Sequence, residues 1–412
     1  MWRRVSTNLF IGLLLIITIV TGYNYFSKPF GSDDSRTQQV STPPPSINPT
    51  PSPLDPSQLL SELTLDEKIN RVLVLPFSTN ETEQATSTAS VATRSAELAH
   101  AGGYMLMGTE VAEPQFKQLV AEQGVQEPYP ASYGGLLRPL LLVDHEGGDV
   151  QRLNGDGYTH LPSWHDLCQM VPEDRRALLT QSAKELQASG VSVVLAPMLD
   201  RASSTSVLGE RVCSADSTIV AEAASDFIMV FRQYGIMPVI KHFPGIGSAR
   251  YDLHNRFASI AIDPEDVALF KLVLNRFPEV PVMVSHVGVA NQFANIPCSI
   301  SPACVEELLA VFPDRLLITD ALDMAAVRSA SGSAAKRSLD EVAVDAVAAG
   351  NTLIMLGERV APDELVLVQQ SLKREYLTNA SFAIRIDEAV RKIIHLQIAL
   401  AGARSSYEAN QE

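Results

Sequence analysis

An aspartate closes the otherwise apolar stretch Leu-Leu-Ile-Thr-Asp-Ala-Leu-Asp-Met at 316–324. A carboxylate so placed is costly unless it is hydrogen-bonded or used. Asp320 is therefore the leading nucleophile candidate, and Asp323 is expected to cap the helix that follows. In Asp-Leu-His at 252–254 a carboxylate stands two residues from an imidazole. Such a neighbour raises the ring's basicity and orients it, so Asp252 suits His254 to proton transfer near neutral pH, although a lone loop histidine is more often a surface residue. Together, Asp320 attacking an anomeric carbon while a proton donor serves the leaving oxygen is the arrangement of retaining glycosidases.

Two further clusters supply binding groups. Leu-Leu-Leu-Val-Asp-His-Glu-Gly-Gly-Asp-Val-Gln-Arg at 140–152 sets a carboxylate at a strand end, two glycines that permit a tight turn, and an arginine beyond them. Asp144 and Arg152 could hold a polyhydroxylated substrate by bidentate hydrogen bonds; the bland alternative is that Asp144 caps a helix and Arg152 is solvated. In Lys-His-Phe-Pro-Gly-Ile-Gly at 241–247, Lys241 and His242 would point to opposite sides of an ideal strand. Pro244 forces a turn there, which lets both reach one sugar.

These clusters need elements that bring them together. Eight short apolar runs, at 71–77, 102–107, 140–146, 191–199, 237–243, 281–287, 316–321 and 351–356, each end in polar or charged residues. Runs of this kind with helical stretches between them indicate buried parallel strands. The predicted fold is α/β, a (β/α)8 TIM-type barrel whose catalytic face lies at the strand carboxyl ends. Asp144, Glu146, Lys241, His242, His286 and Asp320 would then converge on one mouth.

The predicted organisation is a signal or membrane-anchor segment over 1–30, a Pro/Ser/Thr-rich disordered linker over 31–57, the barrel over 58–403 and a disordered tail over 404–412. Arg3 and Arg4 precede an apolar stretch from Leu9 to Val20, with Tyr23, Tyr25 and Phe26 at its far edge. That pattern reads as an export signal or uncleaved anchor, and the lack of a small-residue cleavage site favours the anchor. The rest of the chain is expected outside the cytoplasm, tethered to the membrane. Within the barrel region, Thr64 followed by Glu67 is a capping box.

A net charge of −15 and the absence of a concentrated basic stretch argue against nucleic acid as partner. Cys168, Cys213, Cys298 and Cys304 permit disulfides in an exported chain. Cys298 and Cys304 are close enough to close one loop, and free buried thiols are the open alternative. No C-x-x-C pair suggests structural zinc, and neither metal nor other cofactor is expected. A metal site built from His145, Glu146, His242 and His286 is the weaker reading, because no His-x-His pair ends the first strand.

The quoted motifs, with Leu-Ala-Pro-Met-Leu-Asp at 195–200, Leu-Gly-Glu-Arg at 208–211 and Met-Val-Ser-His at 283–286, resemble the signature stretches of glycoside hydrolase family 3, specifically its β-N-acetylhexosaminidase branch. The resemblance spans roughly residues 60–400 in the family's order. It implies Asp320 as nucleophile, His254 on a loop as acid/base oriented by Asp252, and Asp144, Arg152, Arg211, Lys241, His242 and His286 as sugar-binding positions. It also implies a carbohydrate substrate: terminal β-linked N-acetylglucosamine of cell-wall or chitin-type oligosaccharides, released through a covalent glycosyl-aspartate. The sequence departs from the pattern at His145, where the family usually has Gln, and at Asp149, where it has Arg. It departs again at Ile246-Gly247-Ser248, where a His then Gly-Asp is usual, and at Thr352, where Asp is usual. These departures motivate one alternative, a catalytically weakened sugar-binding protein. Other specificities of the family, β-glucosidase or phosphorylase, form another.

Overall fold

The computed structural model describes residues 55–78, 101–108, 110–125, 129, 137–202, 206–290, 296–329 and 336–409. The described chain opens with α1 (Pro56–Glu62) and α2 (Leu65–Arg71). The Asp55 side chain accepts from Ser57 N, and Pro56 begins the helix, so the last residues assigned to the linker are already helical. Thr64 and Glu67 form the expected capping box.

The chain then runs through β1 (Leu73–Ser78), β2 (Gly103–Met107), α3 (Glu113–Gln123), β3 (Leu140–Val143), β4 (His145–Gly147) and β5 (Val150–Gln151). Next come α4 (Trp164–Gln169), α5 (Pro172–Ala188), β6 (Val193–Val194), α6 (Ser217–Gln233), β7 (Met237–Pro238), β8 (Ile240–Phe243), β9 (Ser259–Ile260) and α7 (Pro264–Arg276). It ends with β10 (Val282–Val284), β11 (Gly288–Val289), α8 (Pro302–Leu309), β12 (Leu317–Thr319), α9 (Ala325–Arg328), α10 (Leu339–Ala349), β13 (Ile354–Met355), α11 (Pro362–Thr378) and α12 (Ala380–Ala409). This is an α/β fold in which parallel strands alternate with helices.

The strands pair in parallel in the order β13-β1-β2-β3-β6-β7, with a second parallel sheet β12-β10-β8. The sheets meet at both edges. β7 and β8 belong to one chain run, with Met198 bridging Lys241, and Ile318 bridges Leu353 beside β13. β1, β2 and β3 are buried at every position, the continuous apolar signal expected where helices cover a sheet. One large apolar core packs these strands against the helices. A smaller one, including Ile246, Leu253, Met324 and Ala326, gathers the loops.

The third apolar run does not continue straight to Glu146. It folds back as a β4–β5 hairpin around Gly147 and Gly148, and Arg152 N donates to Asp144 O at 3.1 Å. Gly147 has φ +97°, and a Cβ there would stand 2.2 Å from the Pro162 carbonyl, so only glycine fits.

Both cysteine pairs are bonded: Cys168 to Cys213 and Cys298 to Cys304, with Cα separations of 5.6 and 5.3 Å, within the usual range. The tail expected from 404 onward lies instead in α12, which runs to Ala409. Arg404 Nη2 donates to the Gly190 and Val191 carbonyls at 2.6 and 3.1 Å, so a buried-side anchor extends the helix. The predicted anchor segment, and the linker up to residue 54, lie outside the described residues. Among the described residues no helix is long and apolar enough to cross a membrane.

Candidate active site

Asp320 leaves the carboxyl end of β12. Its N–H donates to Val284 O at 3.1 Å, and its Oδ1 accepts from Ala321 N at 2.8 Å. Burial pushes the carboxyl up, but nearby His286, His242 and His254 and the Ala321 N–H more than offset this and hold it below the usual aspartate value. The Ala321 N–H is the one contributor among these that favours the carboxylate whatever the charge on the rings.

His286 is the exception among the expected substrate-binding residues. It is wholly buried and lies outside the cavity lining. Its Nε2 is 2.9 Å from the Ala321 carbonyl and its Nδ1 is 2.7 Å from Ser299 Oγ. A carbonyl only accepts, so Nε2 bears the proton. Burial holds the ring below the ordinary histidine value despite Asp320, leaving Nδ1 to accept from the Ser299 hydroxyl. The ring is committed on both sides, to Ser299 and to the Ala321 backbone beside Asp320.

His254 lies on the loop between β8 and β9. Leu253 is buried in the smaller apolar cluster. The carbonyls of Leu253 and His254 accept from Ala326 N and Ala325 N at 3.2 and 3.1 Å, which ties this loop to the start of α9, just past Asp320. Asp252 Oδ1 accepts from His254 N at 2.9 Å and from His254 Nδ1 at 2.7 Å, and Asn255 Nδ2 donates to Asp252 Oδ2 at 3.2 Å. Partial burial pushes Asp252 up, yet the His254 backbone and ring hold its carboxyl below the usual value. With Nδ1 held by a carboxylate, Nε2 is the ring atom left to exchange a proton.

Opposite lies a network of charges. Asp144 Oδ2 meets Arg152 Nη2 at 3.3 Å, and its Oδ1 meets Lys241 Nζ at 3.1 Å. Glu146, 1% exposed, takes Arg211 in a two-pronged contact at 2.9 and 2.8 Å and Lys241 at 2.5 Å. Burial pushes both acids up, but Lys241 with Arg152 for Asp144, and Arg211 with Lys241 for Glu146, hold them well below the carboxylate range. Burial disfavours the charged forms of Lys241 and Arg211, and these same acids more than restore them.

His242 is fixed differently. Its Nδ1 donates to Asp200 Oδ2 at 2.6 Å, while Asp200 also accepts from His242 N at 3.2 Å and Ile246 N at 2.7 Å. The strict alternation that would separate Lys241 from His242 is broken. Between Val282 and Val284 of β10, the β8 partners advance from Ile240 to Phe243, an irregularity that re-aims the strand end.

Asp320, His254, Asp252, Asp144, Arg152, Arg211, Lys241 and His242 all line one cavity of about 490 Å³, a size typical of small-ligand sites. Met105, Leu195, Met283 and Met355 add an apolar surface. Asp323 does not cap α9, whose N-cap is Met324 without a side-chain bond. It reaches across to the loop after β13, accepting from Arg359 N at 3.0 Å, and with Glu358 and Arg359 it joins the lining. Sequence reasoning passed over Glu146 and Asp200 as holders of Arg211, Lys241 and His242, and over Glu358 and Arg359. The signal was present for the last two: they are the polar cluster closing the eighth apolar run.

The departures from the family pattern sit mostly off the cavity. His145 is buried against Ser182 Oγ at 2.7 Å, and burial pushes it down to about 3. Asp149 is exposed and outside the lining. Thr352 Oγ1 accepts from Leu317 N at 3.2 Å between strands. Ile246 does line the cavity, its side chain belonging to the smaller apolar cluster. The four residues weighed for a metal do not share a site, since His145, Glu146, His242 and His286 are each committed to the separate partners given above. Among the described residues no three His, Cys, Asp or Glu side chains group as metal ligands.

An ionised aspartate and a carboxylate-held imidazole on one cavity make an arrangement for cutting acetals, and known proteins agree on the class: the chain is a glycoside hydrolase. It belongs to glycosyl hydrolase family 3, whose N-terminal domain model matches residues 64–396. A β-hexosaminidase of Stenotrophomonas maltophilia is 30% identical over 238 residues, covering 53% of this chain and 69% of that protein. The β-hexosaminidase LpqI of Mycobacterium tuberculosis is 28% identical over 304 residues, 70% of this chain and 72% of that one. The solved structure of M. tuberculosis LpqI superposes with a TM-score of 0.70 at 24% identity, over 84% of this chain and 97% of that one, a likeness of fold.

Proposed function

We propose that this protein is an exo-acting, retaining β-N-acetylglucosaminidase that works through a glycosyl ester on Asp320. One observation carries the reading: Asp320 and the Asp252-held His254 line the same cavity as Asp144, Arg152 and Lys241. We read the linked parallel sheets as a single (β/α)8 barrel with this cavity at the carboxyl ends of its strands.

In the first step an Asp320 oxygen bonds to the anomeric carbon as the glycosidic bond breaks, and the departing oxygen takes the proton from His254 Nε2. In the second step His254 removes a proton from water, whose oxygen bonds to the anomeric carbon as the ester to Asp320 breaks. The first carbon returns to its original configuration. Asp144 and Arg152 present an acceptor and a donor to sugar hydroxyls, and Lys241 and His242 add donors or acceptors at fixed positions.

The reading extends to location. The amino-terminal pattern of two arginines and an apolar stretch supports a membrane anchor with the domain outside the cytoplasm, and two disulfides suit an oxidising compartment. Cell-wall or chitin-type oligosaccharides would be the accessible substrates there.

The test is a panel of N-acetyl-β-glucosaminide, β-glucoside and β-xyloside, with and without phosphate. Preferential release from the N-acetylated substrate, independent of phosphate and lost in Asp320→Asn, is the expected result. Preference for glucoside, or dependence on phosphate, assigns another specificity. Tight binding in calorimetry without product would favour the sugar-binding alternative.

A further inference from the structure

We propose that Tyr251 is the platform on which the leaving-group sugar rests, an inference that depends on the β-N-acetylglucosaminidase reading of the cavity. Tyr251 lines the cavity yet is 47% exposed, and Val207, also in the lining, is 51% exposed. Large apolar groups left open at the edge of a polar site invite a partner that is apolar on one face. A pyranose ring is such a partner, because its axial C–H groups form a weakly positive patch that suits the negative face of an aromatic ring.

The position of Tyr251 specifies which sugar. It immediately precedes the Asp252 that holds His254, and His254 is the group that protonates the leaving oxygen. Whatever is bonded to that oxygen must pass beside this loop. The loop also presents the ring firmly. Asn255 N and Arg256 N both donate to Asp252 O at 3.1 Å, which folds the chain back and sets the Arg256 guanidinium 4.3 Å from the centre of the Tyr251 ring. Arg256 thereby covers one face, while Tyr251 as a whole keeps 47% of its surface open. Leu253, buried beneath, keeps the loop from turning over.

The experiment compares N,N′-diacetylchitobiose with methyl N-acetyl-β-glucosaminide. Both leaving groups need the proton from His254, but only the first carries a sugar for Tyr251 to hold. Tyr251→Ala is expected to lower kcat/KM for the disaccharide about tenfold, largely through KM, and to change the methyl glycoside by about twofold or less. Tyr251→Trp and Tyr251→Phe, which keep a ring, are expected to hold the disaccharide within about threefold of wild type. Equal losses on both substrates would assign Tyr251 to holding His254 and overturn the inference alone, as would an undiminished rate on the disaccharide. Wild-type protein that cuts neither substrate overturns the parent reading and this inference with it.

Discussion

Replacing Glu146 by glutamine tests whether the charge network is what holds the cationic side of the site. Glu146 neutralises two cations at once, Arg211 at 2.8 Å and Lys241 at 2.5 Å, with 1% of its surface exposed. Glutamine keeps the shape but offers one acceptor, and its amide hydrogens would face the positive groups. Removing one member of a buried charge cluster costs about 3–5 kcal/mol. In a domain of this size, roughly 0.7 kcal/mol shifts the melting temperature by 1 °C, so a fall of about 4–7 °C is expected. Misplaced Arg211 and Lys241 side chains should also lower kcat/KM about 100-fold. Because Arg211 and Lys241 overcome burial and hold Glu146 below its ordinary value, its stabilisation is complete above the unfolded value of about 4.3 and is lost as pH falls through the folded one. Calorimetry from pH 4 to 8 should show the gap between wild type and variant widest above about pH 5 and narrowing in acid. A variant that melts with wild type throughout and turns over substrate normally would refute the reasoning.

Three further outcomes are expected. Asp200→Asn must turn an amide N–H toward one of the donors at 2.6–3.2 Å, costing about 1–3 kcal/mol and lowering kcat/KM roughly 10- to 100-fold, with melting temperature as the control. His254→Ala should lower kcat/KM, which reports the first bond-breaking step, by about 10²–10⁴ for the methyl glycoside but far less for a 2,4-dinitrophenyl glycoside, whose leaving group needs no proton; equal losses in kcat/KM would remove the acid role. Cys168→Ser opens a bond that closes a loop of sequence separation 45, worth about 4 kcal/mol in the chain-entropy view. Because Cys213 follows Arg211 closely, KM should rise as well; unchanged thermal stability and KM would contradict this.

The strands and the site were legible for different reasons. Strands buried on both faces leave continuous apolar runs, and the polar residues ending them mark a mouth, so Asp144, Lys241, His242 and Asp320 could be placed from sequence. What sequence could not carry was pairing across distance. Glu146 meets Arg211 only through the β4–β5 hairpin, and Asp323 finds the Arg359 backbone instead of capping the helix beside it. His286 stands in a matching motif, but its two hydrogen bonds turn it from the cavity toward Ala321 and Ser299. Of the two disulfides, Cys298–Cys304 was suggested by proximity, whereas Cys168–Cys213 depends on how the segment after Arg211 meets α4.

The most direct test of the central claim is to trap the intermediate. A fluorinated N-acetylglucosaminyl fluoride, which forms the glycosyl ester readily but hydrolyses it slowly, should add the mass of one sugar to the protein. Peptide sequencing by mass spectrometry should then place it on Asp320, with no adduct in Asp320→Asn. An active enzyme that gives no adduct, or carries the sugar on another residue, would contradict the account.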